Sequence, residues 1–179
     1  MTSESAIMIR RAVLADVPQI AQVHVDSWHT TYPGIFAPAT IAGQTLARRV
    51  ALWTRFFGEP ADRQTMFVAV HGDTVVGFAS LGFLRVPGPP IEGEGELRAI
   101  YLLQRVQGQG VGYRLVKAAS AWLQQAGFAA MRCWVVRGNT RADAFYARLG
   151  GLVVDSATFD VEGLPAVEDC FRFELPILD

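Results

Sequence analysis

"QRVQGQGVGYRLV", Gln104 to Val116, sets three glycines at alternate positions, Gly108, Gly110 and Gly112, directly ahead of residues with helical spacing. From Val111 the apolar side chains Leu115, Ala118, Ala119, Trp122 and Leu123 recur with the helical period, and Gly127 stops the run. Upstream, "ELRAIYLL" reads as a strand. A strand that enters a glycine-rich turn and then a helix gathers backbone N–H groups and the positive end of the helix dipole round one point. Such a point binds phosphate. Glycine removes side chains that would obstruct a diphosphate and permits the φ values that turn successive amides inward.

Three phosphate loops compete for this pattern. A P-loop needs Gly-Lys-Ser/Thr, but Gly112 is followed by Tyr113 and Arg114, so the lysine and the metal-binding hydroxyl are missing. The dinucleotide fingerprint needs GxGxxG in a first strand-helix unit, whereas this is GxGxG late in the chain. The third is the acyl-CoA loop Gln/Arg-x-x-Gly-x-Gly/Ala, which "QGQGVG" from Gln107 to Gly112 matches in full. Glycines ahead of a helix also serve as plain helix entry, so the neighbouring blocks matter.

"ELRAIYLLQRVQGQGVG" looks like the central strand and loop of the GNAT superfamily of N-acetyltransferases, and "NTRADAFYARLGG" resembles its second signature through Asn139, Ala142, Tyr146 and Gly150. The chain therefore resembles that superfamily from about Thr65 to Gly151. There are two departures. Gln104 and Val106 stand where Pro and an aromatic are common, which implies a less rigid loop entry, and Gly151 stands where Phe is common, which removes a packing group.

The resemblance implies an α/β (α+β) fold over one domain, residues 1–179: a mixed, mainly antiparallel sheet of six or seven strands flanked by helices, with a splayed central parallel pair. It implies acetyl-CoA as co-substrate, no metal, and direct attack by an amine acceptor in a ternary complex. The backbone of Ile100, Tyr101 and Leu102 would pair with the pantetheine arm, and Gln107, Gly108, Gln109, Gly110, Val111 and Gly112 would hold the diphosphate. Asn139 would cap its helix and touch the same arm or a structural water.

An alkyl ammonium with a pKa near ~10.4 is neutral in about one molecule in 10³ at pH 7, so amine attack on a thioester needs a base. The departing thiolate gains from a proton donor. Tyr146 is the implied donor, although a helix tyrosine also anchors a core with its ring; Glu96, which opens the central strand, is the candidate base, with a water chain or a substrate-orienting role left open. Strict alternation puts Glu96, Arg98, Ile100 and Leu102 on one face. Trp28 and Tyr32, at a helix end, are candidate substrate contacts or core.

The remaining chain reads as a strand in "AIMIRRA", a helix after Asp16 as N-cap with Ile20, Val23, Ser27 and Trp28 on one side, and one further helix in "TIAGQTLARRVALWTRFFG". A hairpin turns at His71-Gly72-Asp73, "VPGPPIEGEGE" reads as an exposed loop, "AAMRCWVVRG" as a strand, and "LVVDSATFDV" and "DCFRFELPI" as the last two. With 51% hydrophobic residues, 18% charged and a formal net charge of -1, the chain has material for one core and no general pull toward nucleic acid or anionic membrane. Neither a secretory leader nor an apolar run of bilayer length is visible, which predicts a cytoplasmic protein. Cys133 and Cys170 have no CxxC spacing and read as buried thiols. A homodimer is expected by analogy. A non-catalytic acyl-CoA-binding or regulatory module, and a protein or RNA acetyltransferase, are the alternatives; the balanced charge makes RNA the weaker.

Overall fold

A computed structural model describes residues 6–84, 92–161 and 163–177. Its elements run β1 (Met8–Arg11), α1 (Val17–Thr31), α2 (Pro38–Ala42), α3 (Leu46–Phe57), β2 (Gln64–His71), β3 (Thr74–Phe83), β4 (Glu94–Leu102), α4 (Val111–Gln125), β5 (Ala130–Val136), α5 (Thr140–Arg148), β6 (Leu152–Val161) and β7 (Leu164–Glu174). One seven-stranded sheet has the order β1-β2-β3-β4-β5-β7-β6. Every neighbouring pair is antiparallel except β4 and β5, which run parallel and pair only at Glu94 with Ala130, Gly95 with Met131 and Glu96 with Arg132. Beyond Glu96 the two strands splay.

The sheet is covered on both faces. On one, Leu115, Val116, Ala119 and Leu123 of α4 pack with Ala79, Leu81, Leu97 and Met131, and Tyr146 of α5 joins the same core. On the other, Ile20, Ala21 and Val23 of α1 and Trp53 of α3 cover Met66, Val68 and Phe78. Helix-period burial on α1 and α4 and two-sided burial on β2 and β3 are what these apolar patterns require.

Five readings change. Strand β4 carries a bulge: Ser80 pairs with Ala99 and Leu81 with Leu97, so Arg98 is an extra residue. Strict alternation therefore fails. Leu97, Ile100 and Leu102 face α4, while Ala99 and Tyr101 face α1 and α3 together with Glu96. The single helix expected over "TIAGQTLARRVALWTRFFG" is two, because the chain resets at Gly43 to Thr45 and the Thr45 hydroxyl accepts the Arg48 amide at 3.4 Å to start α3. Asp16 sits ahead of α1 but does not cap it. Its carboxylate takes the Arg10 guanidinium at 2.7 and 2.8 Å and the Val13 amide at 2.9 Å, closing the preceding 3-10 turn. Strand β7 begins at Leu164 rather than Asp169. The turn at Gly72-Asp73 joins β2 to β3 as expected; residues 86–91 of "VPGPPIEGEGE" lie outside the described residues, and its end is not an exposed loop, because Glu94 and Gly95 are buried and already belong to β4.

Candidate active site

The end of β4 delivers the chain into the glycine turn through a short 3-10 segment, Gln104–Val106, whose Val106 is buried in the core. The Leu103 amide donates to the Val76 carbonyl at 2.9 Å, and the Gln107 side chain donates back to the Leu102 carbonyl at 2.9 Å. These bonds tie down an entry that lacks the Pro and aromatic common in the resemblance. Gly108 and Gly110 both have positive φ, +75° and +76°, and nothing lies within 4 Å of where a side chain would begin. Helix α4 then starts at Val111, and its ladder begins with the Arg114 amide on the Gly110 carbonyl at 3.1 Å. The amides of Val111 and Gly112 precede that first bond and stay outside the ladder.

A cleft of about 1300 Å³ opens from this turn along the splay. It brings together Glu96, Ile100, Tyr101, Leu102, Gln107, Gly108, Gly110, Gly112, Asn139, Tyr146, Trp28 and Tyr32. Gln109 and Val111 do not line it with their side chains: Gln109 is exposed and donates to the Arg105 carbonyl at 2.9 Å, and Val111 is buried in the core.

Asn139 caps α5, accepting the Ala142 amide at 3.3 Å, and so fixes the helix that carries Tyr146. The Tyr146 ring packs on Phe171 and Phe173 at centroid distances of 5.6 and 5.8 Å. Burial, aided by the neighbouring Cys133 thiol, pushes its phenol well above the usual tyrosine value. It stays protonated at neutral pH. Burial likewise pushes up the Cys133 thiol, and both cysteines are free and buried, so neither is poised as a nucleophile.

On the face toward α1, the Trp28 indole donates to the Tyr101 hydroxyl at 3.2 Å, and the Tyr32 hydroxyl lies 3.4 Å from the same oxygen. Trp28 and Tyr32 are thus both core and wall. His24 stacks on Tyr101 at 4.5 Å and accepts the Trp53 indole N–H through Nδ1 at 3.2 Å, which leaves its proton on Nε2. Burial, with the Arg49 guanidinium, depresses His24 to about 2. Glu96 is 6% exposed with the Arg98 Nε at 3.8 Å, and Glu168 of β7 lines the same cleft. Sequence reading passed over the Tyr101 hydroxyl and Glu168. The bulge moved Tyr101 onto the face of Glu96, and Glu168 preceded the segment taken for the last strand.

Residues 24–151 match the model of the acetyltransferase (GNAT) family. The chain belongs to that family. A GNAT relative in Bacillus subtilis, the uncharacterized N-acetyltransferase YuaI, is 34% identical over 160 residues, 88% of this chain and 87% of the relative. The spermidine N(1)-acetyltransferase of Thermoplasma acidophilum is 24% identical over 154 residues, 84% of this chain and 91% of its own. Among solved structures, PaiA N-acetyltransferase of Thermoplasma acidophilum in complex with coenzyme A aligns with a TM-score of 0.76 at 21% identity, over 94% of this chain and 99% of that one. That likeness is one of fold: the GNAT sheet with its splayed parallel pair.

The GNAT match stops at Gly151, so β6 and β7, with Glu168, lie beyond the matched residues. At Gly151 itself the structure explains the departure from the family's usual Phe. An added methyl would lie 2.4 Å from the Phe173 ring, which already fills that space. Among the described residues no cluster of three or more His, Cys, Asp or Glu side chains is placed to hold a metal ion, and no helix is long and apolar enough to cross a membrane.

Proposed function

We propose that the chain, as one domain over residues 1–179, moves an acetyl group from acetyl-CoA to a primary amine of a small molecule or peptide by direct attack in a ternary complex. The observation that carries this reading is the continuity of one cleft from the side-chain-free turn at Gly108 and Gly110, along the splay, to Tyr146 and Glu96. The first-turn amides of α4 and the positive helix end suit a diphosphate. The edge of β4 left open beyond Glu96 suits the pantetheine amides as an added strand along Ile100, Tyr101 and Leu102. In this reading a β4 backbone N–H would serve the thioester oxygen as a one-donor oxyanion site.

In this reading Tyr146 protonates the leaving sulfur, Asn139 holds α5 at the mouth of the arm's path, and Glu96 supplies a carboxylate on the face the acceptor enters. Trp28 and Tyr32 wall that entrance with aromatic surface, which suits an alkyl ammonium. Spermidine, the acceptor named for one relative, belongs in the first panel of amines to be screened.

Calorimetry with acetyl-CoA tests the binding half, and no binding at about 1 mM overturns it. Thiol release over polyamines, aminoglycosides, amino acids and peptides tests the transfer half. Tyr146→Phe should release thiol about 10²-fold more slowly while acetyl-CoA affinity holds. Because burial keeps the phenol protonated, that gap should persist through the alkaline range up to about pH 10. Equal rates would remove Tyr146 from the chemistry.

A further inference from the structure

The base step of the acetyl transfer proposed above has a second carboxylate at hand. Glu168 sits midway along β7, opposite Val136 of β5 and Ala157 of β6. On this strand Phe171 and Phe173 turn inward against Tyr146, so Glu168 and Arg172 take the other face, where Arg172 meets Glu94. That is the face of Glu96 and Tyr101. The two carboxylates therefore stand on opposite sides of the splay, Glu96 on β4 and Glu168 one strand beyond β5, and both line the cleft that holds Tyr146.

Their surroundings differ in a way that decides their roles. Glu96 is nearly sealed, with a guanidinium nitrogen of Arg98 at 3.8 Å. Glu168 is half-buried and so remains within reach of an incoming group. Burial, then the Glu96 charge, raises its carboxyl above the usual glutamate value; its own charge in turn adds to the rise at Tyr32 and Tyr101. The titratable groups acting with it are thus Glu96 and Tyr101 from β4 and Tyr32 at the end of α1, with Tyr146 of α5, Asp160 of β6, Arg98 and Arg141 on the same cleft wall.

We propose that Glu168 is the group that receives the acceptor's proton, with Glu96 facing it across the splay. The acceptor ammonium gives one proton to a Glu168 oxygen, and the freed nitrogen lone pair forms the C–N bond at the thioester carbonyl carbon. The C–S bond breaks as the sulfur takes the Tyr146 proton. The second proton lost by nitrogen restores Tyr146, and Glu168 releases its own to solvent, so one acetyl-CoA and one ammonium yield amide, free thiol and one proton.

The test is thiol release with the best primary amine of the screen from about pH 5 to 9, on wild type, Glu168→Gln, Glu168→Asp and Glu96→Gln, with acetyl-CoA calorimetry on each. Glu168→Gln should lose about 10²-fold in kcat/KM and its acid limb, Glu168→Asp should recover part of both, and acetyl-CoA affinity should stay within about 2-fold. Glu96→Gln should keep an acid limb displaced to lower pH, because the like charge that raised Glu168 is gone. Full activity in Glu168→Gln, or loss of the limb in Glu96→Gln but not in Glu168→Gln, overturns the assignment while the acetyl-transfer reading stands. Wild type that binds no acetyl-CoA, or binds it and acetylates no amine, overturns that reading and the assignment with it.

Discussion

Gly151 shows how far a single side chain is answerable to its neighbours. Where Phe is common in the family, the Phe173 ring from β7 occupies the space, and the Tyr146 carbonyl lies 3.0 Å from where a side chain would begin. Restoring the family residue should therefore harm this chain. Gly151→Phe is expected to lower stability by about 3 kcal/mol in urea unfolding, because an overpacked core forces both rings off their rotamers. A gain in stability would mean that the Phe173 ring moves aside freely. Tyr146 belongs at the same scale: its place on α5 was legible from spacing to Asn139 and Gly150, but its depth beneath Phe171 and Phe173 was not, since those residues come from a strand the motif does not reach.

At the scale of elements, the glycine turn, α4 and α5 were readable because each is local: glycine at the turn, apolar period along the helix, Asn139 at the cap. The face of β4 was not. A bulge adds one residue without a compositional signal, and the addition of Arg98 put Tyr101 beside Glu96 instead of behind it. The split between α2 and α3 escaped for a similar reason, since Thr45 inside a helical period gives no sign that its hydroxyl will start a new helix. Glu94 marks another tertiary device. Burial alone would raise its carboxyl, but the Arg132 and Arg172 guanidiniums from β5 and β7 outweigh it and hold it below the usual glutamate value. Glu94→Gln should cost about 2 kcal/mol at pH 7, less than for a fully buried pair because Arg172 keeps contact with water. That contribution is complete above the unfolded pKa and fades as pH falls through the lowered folded value, so wild type and variant should converge in acid. A gap that persists at low pH would point to packing instead.

For the molecule as a whole, acid sensitivity begins with His24. Its folded pKa of about 2 lies far below the unfolded value near 6.5, so the unfolded chain binds the extra proton first. Stability should fall by up to about 1.4 kcal/mol per pH unit between roughly pH 6 and 5, and His24→Gln should flatten that slope. Identical slopes would place the sensitivity elsewhere. The sheet as a whole has one further property. It is two plates, β1 to β4 and β5 to β7, riveted along three residue pairs and the Glu94 clamp, and Glu96 stands on one plate and Glu168 on the other. On the proposed reading, the gap between the plates holds the acetyl donor, and the acceptor draws on a carboxylate from each side of it.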